Sequence, residues 1–117
     1  MSLSFELRLD DEQYKPGAKV AGTVVVTTGG RSRALQVELQ YVEETSSYLE
    51  VARSLSTALL HEGDLQTNAW FRFELWLPPD ALPNYDSTHG QLYWRLDVKS
   101  DEPGLDSHEL RRIDVAI

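Results

Sequence analysis

The sequence predicts an all-β protein, a two-sheet antiparallel sandwich of about seven short strands. Three observations lead there. Apolar and polar residues alternate with a period of two in five segments, β-branched residues fill a sixth, and turn residues lie between them. A strand with one face buried and one face wet produces this alternation. A helix of about 3.6 residues per turn would leave half of the same apolar groups in water.

The elements follow in order. Phe5, Leu7 and Leu9 alternate with Glu6 and Arg8, giving a first strand. Tyr14-Lys15-Pro16-Gly17 reads as a turn, with Pro fixing φ and Gly taking the next corner. Val20 to Thr28 is β-branched apart from Ala21 and Gly22, and reads as a second strand. Gly29-Gly30 is expected to supply positive φ for a hairpin into the next strand. That strand carries Leu35, Val37, Leu39 and Tyr41 on one face.

Residues 47–60 admit two readings. Ser47 and Glu50 have capping-box spacing, with Val51, Leu55, Ala58 and Leu59 as a helical stripe. Leu49, Val51, Leu55 and Leu59 also share one parity, as in a bent or bulged strand. The strand is preferred because its neighbours are strands.

Phe71, Phe73, Leu75 and Leu77 alternate with Arg72, Glu74 and Trp76. Pro78, Pro79 and Pro83 cannot donate inside a sheet, so that stretch is a connection. Leu92, Trp94, Leu96 and Val98 form the next buried face, with Trp94 set against the opposite sheet. Asp101-Glu102-Pro103-Gly104 is a turn, and Ile113, Val115 and Ile117 close the pattern. The sum is an immunoglobulin-like sandwich.

Length and composition narrow the function. The 117 residues suit one domain over 1–117, with 11 basic against 19 acidic residues and a net charge of -8. Such a chain is a poor partner for nucleic acid or an anionic membrane surface. With no cysteine there is no disulfide framework, thiolate zinc site or cysteine nucleophile, which fits a reducing, cytoplasmic setting. No run reaches the roughly 18–20 apolar residues of a membrane helix, and Met1-Ser2-Leu3-Ser4 has neither part of a secretory signal.

Catalytic and metal patterns find few takers. His61, His89 and His108 are not spaced as zinc ligands, and each is expected in or beside a turn, solvated. In a strand, His108 faces away from Ser107 and Glu109, so that tripeptide is no local triad. No Gly-x-Ser-x-Gly elbow is present, and Gly29-Gly30 lacks the Lys-Ser/Thr of a phosphate loop. No enzyme activity and no cofactor are expected. Asp10, Asp11 and Glu12 in one turn, with Asp101, Glu102 and Asp106 in another, would make a calcium site if both loops met at one end of the sandwich. Trp70 and Trp76 fall on the polar face of their strand and are the candidate protein-binding surface.

Tyr14-Lys15-Pro16-Gly17 followed by Val20-Ala21-Gly22-Thr23-Val24 resembles the Y-x-P-G-x-x-V-x-G-x-V opening of arrestin-fold domains. Phe71 to Leu75 with Leu77-Pro78-Pro79 is similar to that family's F-x-F-x-L-P strand and exit. Pro83-Asn84-Tyr85 with Gly90 to Val98 resembles its P-S-Y-x-G-x-I-x-W-x-V element. The nearest flavour is the bacterial arrestin-like proteins, sporulation-control types among them. The resemblance implies an arrestin-like sandwich and a non-enzymatic interaction or scaffold role. Since arrestins usually have two such domains, it also implies half of that unit, a truncation or a stand-alone module. Arg8, Lys15 and Lys19 do not reproduce the paired lysines of phosphate-sensing arrestins, and Pro78-Pro79-Asp80-Ala81 is not a Pro-Pro-x-Tyr motif. An open sheet edge with exposed aromatics implies a homodimer or capture of an extended peptide.

Overall fold

The alternating segments assemble into two sheets in the computed structural model, which describes residues 3–104 and 106–117. The small sheet is antiparallel, in the order β1 (Ser4–Leu9), β3 (Lys19–Thr28), β7 (Trp70–Trp76). The large sheet runs β2 (Gln13–Tyr14), β10 (Ser107–Val115), β9 (Gln91–Asp101), β4 (Ala34–Glu44), β5 (Leu49–Ser56). Two short strands complete it: β6 (His61–Glu62) on β4 and β8 (Tyr85–Asp86) on β9. The β2–β10 pair is parallel and the others are antiparallel. Seven strands of six residues or more match the expected number. No helix among the described residues is long and apolar enough to cross a membrane.

The expected inner faces meet in one core. Phe5, Leu7, Val24, Val26, Phe73 and Leu75 of the small sheet pack on Leu35, Leu39, Trp94, Leu96, Val98 and Ile113 of the large one. Trp94 has no exposed surface. Its Nε1–H donates to the Leu82 carbonyl at 2.8 Å, and its ring lies 4.9 Å from that of Tyr41. The Pro-rich stretch carries the chain from β7 across to the large sheet. Asn84 fixes the landing: its side chain donates to the Ile113 carbonyl at 2.7 Å and accepts from the Trp94 amide at 3.1 Å. The Pro16-Gly17 turn forms as expected, with Gly17 at φ 81° and the Ala18 amide donating to the Lys15 carbonyl at 2.9 Å.

Two readings change. Gly29-Gly30 is not a hairpin, because β3 and β4 lie in different sheets and neither glycine has positive φ. Gly29 is needed for close approach instead: a Cβ there would sit 2.4 Å from the Leu65 carbonyl oxygen. The last strand begins at Ser107 and ends at Val115, leaving Ile117 at 92% exposure. Its first half hid because both faces carry polar residues. The Asp101–Gly104 turn and Ser107 frame Leu105, which lies outside the described residues, as do Met1 and Ser2.

Within residues 47–60 the preferred reading holds: Leu49–Ser56 form the strand β5, not a helix, and it is exposed along its length. The small sheet is only three strands wide, and β5 is an outer strand of the wider sheet. The bulge appears in the register, where Arg53 lies opposite Tyr41 but Val51 lies opposite Val42. It splits the stripe, putting Leu55 on the core side with Leu39 and placing Val51 and Leu49 on the outer side.

Candidate functional site

β7 places both candidate tryptophans. Its even residues, Trp70, Arg72, Glu74 and Trp76, point away from the core, while Phe73 and Leu75 are buried. Trp70 is 64% exposed and Trp76 62%, at opposite ends of a strand spanning about 20 Å. Neither ring belongs to the core, so the polar-face reading of this strand is the observed one. Between them, Arg72 donates to both carboxylate oxygens of Asp10, at 2.9 and 2.6 Å, and to the Thr23 hydroxyl at 3.1 Å. Lys19 pairs with Glu74 at 3.2 Å and lies 6.0 Å from the centre of the Trp76 ring.

The backbone of β7 is as informative as its side chains. Among the described residues β7 pairs only with β3, at one edge. The Leu77 amide donates to the Ala18 carbonyl, and the Val26 amide to the Ala69 carbonyl. In an antiparallel ladder the bonded pairs recur every second residue, so Phe71, Phe73 and Leu75 spend their backbone groups on β3. Trp70, Arg72, Glu74 and Trp76 therefore aim their amides and carbonyls at the free edge. Below that edge lies an open groove of about 370 Å³, lined by Thr57, Ala58, Leu59 and Leu60 opposite Arg72, Phe73 and Glu74. Free strand edges in natural sheets are commonly blunted by proline, bulges or charged side chains. Within Trp70–Trp76 there is no proline, the β3–β7 register is unbroken, and the two charged residues, Arg72 and Glu74, are opposite in sign.

The Asp10–Arg72 pair tethers this edge strand to the turn after β1. Hydrogen bonding from Arg72 holds the Asp10 carboxyl below its ordinary value, against an opposing effect of desolvation. A carboxyl lowered on folding stabilises the protein above its unfolded value, and that stability is lost as pH falls below about 4. Acid titration of unfolding is therefore expected to show a steeper decline for the wild type than for Asp10→Asn, with the two curves converging at the acid end.

The carboxylates proposed for calcium do not converge, which corrects that reading. Tyr14 pairs with Val115 at the end of β10, and its hydroxyl donates to the Asp11 carbonyl, so Asp10, Asp11 and Glu12 lie at that end. Asp101, Glu102 and Asp106 lie at the other end of the nine-residue strand, roughly 25–30 Å away. Each group also has local work. Asp101 pairs with Arg33 at 3.1 Å, Asp106 accepts from the Glu102 amide, and Glu102 accepts from the Ser107 amide. No three His, Asp or Glu side chains among the described residues gather as a metal site.

The histidines diverge from one another. His89 sits in the turn before β9, and His61 begins β6 with Nε2 at 3.1 Å from the Asp64 carbonyl. His108 is in β10, and its Nδ1 lies 3.0 Å from both oxygens of the buried Asp97. Sequence reasoning missed this partner. The signal was the outward parity shared by Asp97 and His108, directly useful only once their strands were paired. They belong to a polar outer face of the large sheet, where Arg95 donates to Gln40 at 2.7 Å and Gln40 and Ser54 donate to Glu38. Partial burial pushes the Glu38 carboxyl up, but those two hydrogen bonds prevail and hold it below its ordinary value.

Fold and motifs together define an arrestin-like β-sandwich. Among solved structures it is similar to Spo0M, the sporulation control protein of Bacillus subtilis, with 23% identity and a TM-score of 0.61. The match covers 100% of this chain and 50% of Spo0M, so the chain spans about half the length of that protein. A β-glucosidase from Listeria innocua reaches a TM-score of only 0.38 at 16% identity, over 97% of this chain and 16% of its own, too low to bear on function. No family model and no curated protein matches the chain.

Proposed function

We propose that this chain is a non-enzymatic interaction module that binds by adding an extended segment to the free edge of β7. The observation that carries the reading is the parity of that strand. The residues whose backbone groups face the open edge are the same ones that present Trp70 and Trp76 to solvent. Backbone pairing would supply affinity, and the two rings would supply purchase at either end of the added strand. The fold it shares with a sporulation control protein supports a regulatory role exerted by contact rather than catalysis.

Panning random nine-residue peptides displayed on phage tests this. Peptides that bind are expected to shift the amide resonances of Trp70, Arg72, Glu74 and Trp76, and to lose binding to Glu74→Pro. That proline removes an outward amide and leaves the bonds to β3 in place. Peptides that bind elsewhere, or none at all, would refute the reading.

A further inference from the structure

We infer that the segment added at β7 is β7 of a second copy of this chain, joined about a two-fold axis through Phe73. This rests on β7 being the binding edge and names its occupant. The argument begins with the strand's own sequence, Trp-Phe-Arg-Phe-Glu-Leu-Trp over Trp70–Trp76. Read from either end along the outer face, it runs aromatic, charged, charged, aromatic, with the two charges opposite in sign.

Edge pairing of identical strands around a two-fold axis must be antiparallel, and bonded pairs must join residues whose backbone groups both face outward. Those are Trp70, Arg72, Glu74 and Trp76. Centring the axis on Phe73 sets Arg72 opposite Glu74 of the second copy, and Glu74 opposite its Arg72. Trp70 then faces Trp76 of the second copy, and Trp76 faces its Trp70. Phe73 meets its own image as a non-bonded pair, as its inward-facing backbone requires. Every outward amide and carbonyl over Trp70–Trp76 finds a partner, and both small sheets join into one six-stranded sheet. Cross-strand aromatic pairs and opposite charges both favour this arrangement.

The charges also select the register. A slip of two residues one way sets Arg72 against Arg72 of the second copy, and the other way sets Glu74 against Glu74. Either alternative places like charges directly opposite and leaves tryptophan facing a charge. The alternation that would repel a wrong register therefore accepts a second copy in one register only. Because Arg72 and Glu74 are held by Asp10 and Lys19 within their own chain, the edge is ordered before it meets its partner.

Sedimentation equilibrium of two charge-reversed variants provides the test. Glu74→Arg carries two positive charges on the edge and Arg72→Glu two negative ones. Each alone sets like charges opposite in both central pairs, so each is expected to dimerise about tenfold or more weakly than wild type. Mixed in equal amounts, they restore both Arg–Glu pairs and are expected to form a heterodimer near wild-type affinity. Both variants break exposed ion pairs of little weight, and thermal melts of each establish that they are folded. A monomeric wild type at all concentrations overturns the inference, even if peptides still bind at β7. So does a dimer that neither variant weakens, or weakened variants that fail to pair with each other.

Discussion

Trp94→Ala is expected to cost about 3–5 kcal/mol, the usual range for deleting a fully buried aromatic side chain. Two independent side-chain ties converge on this residue. Its ring has no exposed surface and packs beside Tyr41 in the centre of the sandwich. Its indole N–H satisfies the Leu82 carbonyl, which the substitution would leave without that partner. The Trp94 backbone amide, which alanine would keep, still anchors Asn84 and through it the Ile113 carbonyl of the neighbouring strand, so the loss is confined to the side chain. Against a total stability of roughly 5–15 kcal/mol, the loss leaves little margin. Thermal unfolding followed by near-ultraviolet circular dichroism should show the midpoint falling by about 10 °C or more. A fall of only a few degrees would mean that the core can collapse around the missing ring.

The second large effect separates two adjacent glycines. Gly29→Ala is expected to cost about 3 kcal/mol, the upper end for forcing an atom into a packed site. Its Cβ would meet three backbone atoms, of Leu65, Thr67 and Gln66, at 2.4 to 2.8 Å, and backbone cannot swing aside as a side chain can. Gly30→Ala should be close to neutral, since its nearest neighbour is the flexible end of Leu3 at 3.3 Å and its φ is not positive. Denaturant unfolding of both variants checks the contrast. Equal losses at the two positions would restore the hairpin expectation, in which both residues serve the same turn.

That contrast shows where sequence reading stops. Gly29 and Gly30 look alike in the chain, and only the crossing of residues 65–67 over the β3–β4 link distinguishes them. Local signals were sufficient for Leu92–Val98, where period-two alternation fixes both the strand and its buried face. They were insufficient for β10, whose first half has no apolar face to alternate, and for β5, where a bulge moved Leu49 and Val51 away from Leu55. The calcium reading failed for the same reason: acidic turns can be seen in a sequence, but the end of the sandwich they occupy depends on strand order. Trp70 and Trp76 were legible as outward residues from parity alone. The free edge beneath them was not, because that β7 has β3 on one side and no paired strand on the other among the described residues is a property of the assembled sheet.

Hydrogen exchange along β7, residue by residue and from dilute to concentrated solution, tests most directly whether this edge is where the chain binds. At dilution, the amides of Phe71, Phe73 and Leu75 are expected to be protected, while those of Arg72, Glu74 and Trp76 exchange freely. As concentration rises, the second group is expected to become protected while the first stays unchanged. Protection of Arg72 and Glu74 already at dilution, in a chain shown to be monomeric, would mean that the edge is closed within the chain. Free exchange at every concentration would equally contradict pairing between copies there.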